Sequence, residues 1–338
     1  MTAASTVLVG FGKIGAGYAA DRKMAAYFDY ASHAQVLRDH PAFDWTAVVD
    51  PSETARNAAS AWNVPVVVPR IEDLPSGFRP EVAVLATGPD VRDAALARFD
   101  GLKLAVVEKP LGTDIAGAER LVADCDARQV GMQVNLFRRA EAATRALAEG
   151  GLAERIGAPQ AIFGVYGNGL RNNAVHMIDL IRMLAGEVRE ARALSSPVPA
   201  ETSPVTGDIA VPFALTLESG VIAVLQPLDF GHYREVGLDI WGTEGRLEIL
   251  QEGLLMRASP RATHRALDEG HEVASDAAED IPGAYGRALY ALYDNAADWL
   301  AGNAPLVSPG TNALTDEHIL DAITRSAATG GAAVSILR

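Results

Sequence analysis

Thr6-Val7-Leu8-Val9-Gly10-Phe11-Gly12-Lys13-Ile14-Gly15 is the stretch on which the reading of the fold turns. A short apolar run enters three glycines in the spacing G-x-G-x-x-G. The first glycine makes a tight turn, the second lets backbone approach a pyrophosphate, and the third allows a helix to pack against the strand. The start of that helix offers free amides and the positive end of its dipole to phosphate oxygens. The spacing alone is common. Its place in the first strand–helix turn of the chain is where the mechanism requires it, so Gly10, Phe11, Gly12, Lys13, Ile14 and Gly15 are expected to form a dinucleotide loop.

Reading outward, residues 45–49 form a second strand ending at Asp50. A carboxylate there accepts both ribose hydroxyls of adenosine and repels a 2′-phosphate, which favours NAD over NADP. The plainer alternative is a solvated aspartate starting the turn Asp50-Pro51-Ser52. From Gly15 to Asp50 there are 35 positions, against ~20 in an uninterrupted fingerprint. The excess is assigned to residues 18–31 (YAADRKMAAYFDYA), a loop before a helix starting near Ser32, close to the cofactor or the cleft. Alternation then continues with a helix at 52–62 and strands at 66–68 and 81–86. The latter ends in Thr87-Gly88-Pro89 and leads into a helix reaching Arg98. A strand at 103–107, a helix at 113–128 and a strand at 131–135 follow. Such alternation builds a parallel sheet with right-handed crossovers, an α/β Rossmann domain.

The strand at 103–107 empties into Val106-Val107-Glu108-Lys109-Pro110-Leu111-Gly112. Ligands of open α/β sheets bind beyond the carboxyl ends of the strands, which makes Lys109 a site residue, with Thr87 and Glu108 expected beside it at the cofactor. An X-Pro peptide is among the few that can be cis; a cis Lys109–Pro110 bond would aim the lysine. Taken alone, a surface lysine at a strand end explains the stretch as well.

After about residue 150 the grammar changes. Period-two alternation at Val211, Phe213, Leu215 and Leu217, then at Val236, Leu238 and Ile240, is broken by glycine turns. That is an antiparallel sheet with one covered face. The expected fold is an N-terminal Rossmann domain, 1–125, followed by an α/β domain, 126–338, with a largely antiparallel open sheet. The polar run 258–279 is expected to be an exposed loop, and helices are expected near 284–300 and 316–328.

One helix of the second domain, 173–184, carries two stripes. Ala174, Met177, Ile178, Ile181 and Leu184 form an apolar face, while Asn172, His176, Asp179 and Met183 stand one above another. A mostly polar stripe on an apolar helix calls for a wet or functional surface. His176 near the positive helix end is held toward the neutral imidazole that a general base needs, and Asp179 one turn on is placed to orient it. The alternatives are a structural histidine and an N-capping Asn172. His176 and Asp179 have ligand spacing, but no third ligand stands near in sequence, so no metal is expected.

Composition bounds these readings. At 338 residues the chain has room for about two domains. A net charge of −14 argues against nucleic acid or an anionic membrane surface as partner. The single cysteine, Cys125, excludes an internal disulfide and lies in a helical pattern as a packing residue. No basic-then-apolar leader and no run of ~20 apolar residues is present, so a cytoplasmic protein is expected.

Taken together, GFGKIG, VVD, VVEKPLG, NLFRR, the His-x-x-Asp of HMIDL and WGTEGRL resemble the Gfo/Idh/MocA family of glucose–fructose oxidoreductases and inositol dehydrogenases, over nearly the whole length. The resemblance implies a nicotinamide cofactor and hydride transfer at a secondary alcohol of a sugar, cyclitol or nucleotide sugar. It implies homodimers or homotetramers built on the open sheet. It also implies that Lys109 and His176 form the catalytic pair, with Asn135, Arg138 and Arg139 approaching the substrate. There are two departures. Asn172 stands where many members have aspartate, which keeps hydrogen bonds but not charge and is similar to members acting on nucleotide-linked sugars. Arg92 ends Thr87-Gly88-Pro89-Asp90-Val91-Arg92, where a histidine is frequent. Relatives that retain NAD for redox-neutral lyase or glycosidase chemistry, and a non-catalytic NAD-binding sensor, are the alternative functions.

Overall fold

The computed structural model describes residues 2–336. Its first sheet is built from β1 (Ala4–Val9), β2 (Phe43–Val49), β3 (Val66–Val68), β4 (Val82–Leu85), β5 (Leu104–Val107) and β6 (Gly131–Val134). The order is β3-β2-β1-β4-β5-β6 with every pair parallel. That is the doubly wound Rossmann order, whose switch point lies between β1 and β4.

The inner strands β4 and β5 are continuous Val/Leu/Ala runs, and β1 and β2 end in such runs, because both faces of the sheet are covered. Val7, Val9, Ala83, Leu85, Ala105 and Val107 pack on one side with Leu96 and Leu121, from helices Pro89–Arg98 and Ile115–Ala127, and with Phe99 just beyond the first of them. Leu8, Val48, Val84 and Val106 point the other way. They pack with Val36, Ala59, Leu292 and Tyr293 from helices His33–Asp39, Glu53–Ser60 and Ala288–Leu300. Each fully buried Val or Leu contributes about 1.5–3 kcal/mol. Cys125 is buried in the first of these layers, as expected for a packing residue.

The division of the chain differs from the one expected at residue 125. One compact unit runs through Ala140 and takes back Tyr285–Leu314; the other comprises Glu141–Ala284 and the chain from Thr315 onward. Two physical reasons explain the correction. β6 pairs with β5 and completes the first sheet. The stripe Leu289, Leu292, Tyr293 and Ala296 buries itself on that same sheet, where Gln133 on β6 donates to Asn295 Oδ1 (2.9 Å) and accepts from Ser308 N (3.2 Å).

In the second unit, β7 (Pro159–Tyr166), β8 (Val188–Ala193), β9 (Val198–Pro199), β10 (Ile209–Ala210), β11 (Phe213–Leu217) and β12 (Ile222–Pro227) come first. They are followed by β13 (Gly237–Gly242), β14 (Gly245–Leu250), β15 (Leu255–Thr263), β16 (His271–Val273), β17 (Glu279–Ile281) and β18 (Val334–Ser335). The sheet order is β16-β15-β14-β13-β7-β12-β11-β8-β18, with β17 on β15. Only β7 and β12 run parallel; the other pairs are antiparallel. The buried/half-buried alternation of β11 and β14 is that of a sheet covered on one face.

The run 258–279 is not the loop that its polarity suggested. β15 extends into it, and β16 and the start of β17 lie within it. Main-chain bonds between edge strands, not apolar alternation, hold this region.

Candidate functional site

Gly10 sits at φ +95°, and a Cβ there would lie 2.4 Å from Ala86 O, so the turn leaving β1 is open only to glycine. At Gly12 a Cβ would meet nothing within 4 Å. The amides of Gly12, Lys13, Ile14 and Gly15 donate to no acceptor among the described residues. A run of free amides beside open space is what a pyrophosphate requires.

The helix that should follow Gly15 is split. Ala16 N donates to Gly12 O (2.9 Å) and Tyr18 N to Lys13 O (2.9 Å), which makes a first turn. The next carbonyls, Ile14 O and Gly15 O, accept from His33 N (3.0 Å) and Ala34 N (2.8 Å). In an unbroken helix those donors would be residues 18 and 19, so residues 33 and 34 stand in for them and fifteen residues are looped out. Removing fifteen from the 35 positions between Gly15 and Asp50 restores the ~20 of the usual fingerprint. The looped-out segment docks on its own unit. Tyr30 N donates to Gly286 O (3.1 Å), the Tyr30 and Tyr290 rings lie 4.7 Å apart, and Arg287 stands 5.4 Å over Tyr30. A surface hollow of about 370 Å³ lies beneath it, lined among others by Phe11, Gln35, Arg38 and Trp62; none of Asp50, Thr87, Glu108 or Asn135 lines it.

Asp50 follows β2 and is 8 % exposed. Its Oδ2 accepts from Phe11 N (2.6 Å) and its Oδ1 from Ser52 N (2.8 Å). Two amides thus orient the carboxylate beside the glycine turn, and each oxygen keeps a lone pair for a hydroxyl.

At the ends of β4, β5 and β6 stand Thr87, Glu108, Lys109 and Asn135. Glu108 is buried. Its Oε1 accepts from Asn135 Nδ2 (2.5 Å) and pairs with His33 Nε2 (2.9 Å), while His33 Nδ1 lies 2.7 Å from the Tyr293 hydroxyl. Burial alone would raise the Glu108 carboxyl. The bonds from His33 and Asn135, with the nearby Lys109 charge, outweigh it and hold the group below the ordinary carboxyl range. Burial, with the Glu108 charge, pushes the Tyr293 phenol well above its ordinary value, so Tyr293 stays protonated. The buried oxygens Thr87 Oγ1 and Asn135 Oδ1 have no hydrogen-bond partner among the described residues.

Lys109 is half-buried, and the Lys109–Pro110 peptide is cis. Behind it lies Arg92, 1 % exposed, whose Nη1 donates to Pro110 O (2.5 Å) and Leu111 O (3.2 Å) and whose Nη2 donates to Thr87 O (2.7 Å). At this position, where the resembled family frequently has histidine, a guanidinium ties the turns after β4 and β5 together.

In the second unit, helix Val175–Ala185 carries His176, half-buried, and Asp179, 2 % exposed. The apolar face packs as expected, with Met177, Ile178, Ile181 and Leu184 buried. The polar stripe is narrower than its spacing suggested, because Asp179 is enclosed too. Asn172 does not cap the helix. It lies inside a wide turn, Leu170–Ala174, and its amide donates to Asp208 Oδ2 (3.1 Å) while Arg171 N donates to Asp208 Oδ1 (3.1 Å). The capping carboxylate therefore comes from Asp208, with Ser203 Oγ donating to it as well (2.9 Å). Farther along, buried Arg182 pairs with Asp316 (2.7 Å) and Glu187 (2.8 Å).

Arg138 is 4 % exposed, with its guanidinium 4.8 Å over Phe137 and 5.9 Å over Tyr285. Arg139 beside it is half-buried. Among the described residues no group of His, Cys, Asp and Glu is placed to hold a metal, and no helix is long and apolar enough to cross a membrane. His33, Tyr293 and Asp208 escaped the sequence reading. His33 alone left a signal: with the insertion removed it falls three residues after Gly15, on the first turn of the dinucleotide helix.

No curated protein matches the chain by sequence. Among solved structures it is similar to the WlbA dehydrogenase from Bordetella pertussis in complex with NADH and UDP-GlcNAcA, at 19 % identity, 99 % coverage of both chains and TM-score 0.71. It is similar to levoglucosan dehydrogenase in complex with NADH and levoglucosan, at 19 % identity, 99 % and 100 % coverage and TM-score 0.73. It is also similar to an oxidoreductase from Agrobacterium radiobacter in complex with NAD+, L-tartaric acid and magnesium, at 16 % identity, 99 % coverage of both and TM-score 0.72. At such identities these likenesses show the fold. The family models reach further: "Oxidoreductase family, NAD-binding Rossmann fold" matches residues 7–136, and "Oxidoreductase family, C-terminal alpha/beta domain" matches residues 164–336. The chain belongs to the NAD-binding Gfo/Idh/MocA oxidoreductase family.

Proposed function

We propose that the protein is an NAD-dependent dehydrogenase moving hydride between a secondary alcohol of a sugar, cyclitol or nucleotide sugar and the nicotinamide. The observation that carries this reading is the set of unsatisfied groups along the carboxyl ends of one parallel sheet. Four free amides, the oriented Asp50 carboxylate and the unpartnered Thr87 Oγ1 and Asn135 Oδ1 all lie there. They fit a dinucleotide: the glycine turn holds its pyrophosphate, Asp50 its adenosine ribose, and Thr87, Glu108 and Asn135 its other half. When bound, the cofactor supplies the hydride acceptor.

The chain's own residues do the rest. Lys109 hydrogen-bonds the reacting oxygen and stabilises charge as it develops. His176 accepts the hydroxyl proton, and buried Asp179 holds its ring. Asn172 offers a substrate hydroxyl hydrogen bonds without adding charge, and either Arg138 or Arg139 meets an anionic substrate group. Asp50 disfavours a 2′-phosphate, hence NAD over NADP. The sugar-type ligands of the WlbA and levoglucosan enzymes support the substrate class.

We also propose that a second copy of the chain covers the open face of the second sheet. Phe163 and Ile222 are 51 % and 52 % exposed there, and register places Phe163 beside Val224, and Ile222 and Trp241 on either side of Ala161.

The test is reduced-nicotinamide absorbance with purified protein, NAD or NADP, and a panel of cyclitols, free sugars and nucleotide sugars. Signal with NAD and one substrate class is expected, with kcat/KM lowered about 10²–10⁴-fold in Lys109→Met and His176→Ala. Full turnover by His176→Ala would overturn the assignment. Tight cofactor binding without any turnover would replace it with redox-neutral chemistry or a sensor.

A further inference from the structure

Behind the site residues a buried chain of polar groups ends on Glu108. It begins at Tyr293 on helix Ala288–Leu300, passes through His33 at the start of helix His33–Asp39, and reaches the carboxylate after β5, where Asn135 from the end of β6 joins it. His33 is 0 % exposed and Tyr293 0 %. Segments 260 and 75 positions apart in sequence converge on two ring nitrogens. An enclosed imidazole with both nitrogens engaged needs a reason, because two apolar side chains would fill the same space at lower cost.

Ionised Glu108 only accepts, so His33 Nε2 donates to it. On the other side of the ring His33 Nδ1 lies 2.7 Å from the protonated Tyr293 hydroxyl. Both bonds to Glu108 fall on Oε1, so the carboxylate is pinned through one oxygen while Oε2 takes neither.

Rossmann sheets bind a dinucleotide as two mononucleotide halves on either side of the β1/β4 switch. Asp50 after β2 belongs to the adenosine half, and Glu108 after β5 to the other. We infer that Tyr293 and His33 are positioning residues that hold Glu108 with its second oxygen presented to the nicotinamide riboside half of the cofactor. The inference rests on the NAD-binding reading above, not on the identity of the substrate.

The experiment compares NADH with ADP, which lacks the nicotinamide half, in binding titrations of the full chain. Tyr293→Phe removes one oxygen; His33→Phe removes both bonds; His33→Gln restores an N–H able to reach Oε1. Tyr293→Phe should weaken NADH about three- to tenfold and His33→Phe about tenfold or more, as expected for loss of one or two hydrogen bonds. ADP should bind each variant as it binds the wild type, and His33→Gln should recover most of the NADH affinity. Wild-type NADH affinity in both Tyr293→Phe and His33→Phe overturns the inference. So does equal weakening of NADH and ADP, which marks a merely structural role. A wild-type protein that binds neither ligand overturns the cofactor reading with it. Absence of turnover on every alcohol, with NADH-selective weakening intact, overturns only the proposed reaction.

Discussion

Arg92→Met is the most informative perturbation of the first unit, because it removes a buried charge and keeps much of the volume. Three carbonyl oxygens, of Pro110, Leu111 and Thr87, lose their donor at 2.5, 3.2 and 2.7 Å. A buried acceptor left unsatisfied costs about 1–3 kcal/mol, so the loss is bounded near ~3–9 kcal/mol. Against it stands the relief of no longer desolvating a guanidinium, which is worth several kcal/mol. The 3.2 Å bond is the weakest of the three and contributes least. A net loss of about 2–4 kcal/mol follows. In a unit of this size that lowers the unfolding midpoint by roughly 5–12 °C. Two of the freed carbonyls, of Pro110 and Leu111, belong to the residues just after Lys109, and a displacement near 1 Å there costs about 10²-fold in turnover. Arg92→Lys, with one compact donor head in place of a planar fork, should fall between the two proteins. Calorimetry resolves the unit's transition, and steady-state kinetics follow turnover once a substrate is in hand. If Arg92→Met unfolds within a degree or two of the wild type, the guanidinium does not tie the two turns together and the reasoning fails.

Burial lowers the His40 pKa from its ordinary value, with Asp294 pulling part of the way back. The unfolded chain therefore binds the proton more readily, and stability should fall as pH drops below about 6.5 toward the folded value; His40→Gln should flatten that part of the midpoint-against-pH curve, and parallel curves would contradict the assignment. Phe163→Asp should leave the folded chain intact while reducing the mass seen by light scattering to that of one chain, and an unchanged oligomer would place the contact elsewhere.

Apolar runs made the first sheet legible: β4 and β5 are buried throughout, and β1 and β2 end in buried apolar runs. The glycine turn and Glu108–Lys109 were legible for the same reason, as the exits of such strands. The return of Tyr285–Leu314 to the first unit was not, since an amphipathic helix does not say which sheet it will cover. Strands β8, β15 and β16 were hidden by composition; VREARA buries only Val188 and two alanines, and edge strands need main-chain partners more than apolar ones. Tyr293 and Asp208 act at separations of 260 and 36 positions from the groups that they serve. No local pattern encodes a hydrogen bond across such distances.

The insertion shows how the sheet absorbs a disturbance without losing its site. Fifteen residues leave the dinucleotide helix after its first turn and return so that Ile14 O and Gly15 O still find helical donors. The amides of residues 12–15 stay free to donate to a ligand, and only the backbone entropy of closing a loop is added, a cost that grows slowly with length. What the excursion gains is a stack of Tyr30, Arg287 and Tyr290 on the first turn of helix Ala288–Leu300. That helix carries Tyr293, and the residue at which the excursion ends and the helix resumes is His33. The inserted segment is therefore fastened at both ends of the same relay. Its aromatic anchor holds the Tyr293 helix and its return point holds the His33 ring, so weakening the stack should loosen Glu108 before it disturbs the glycine turn.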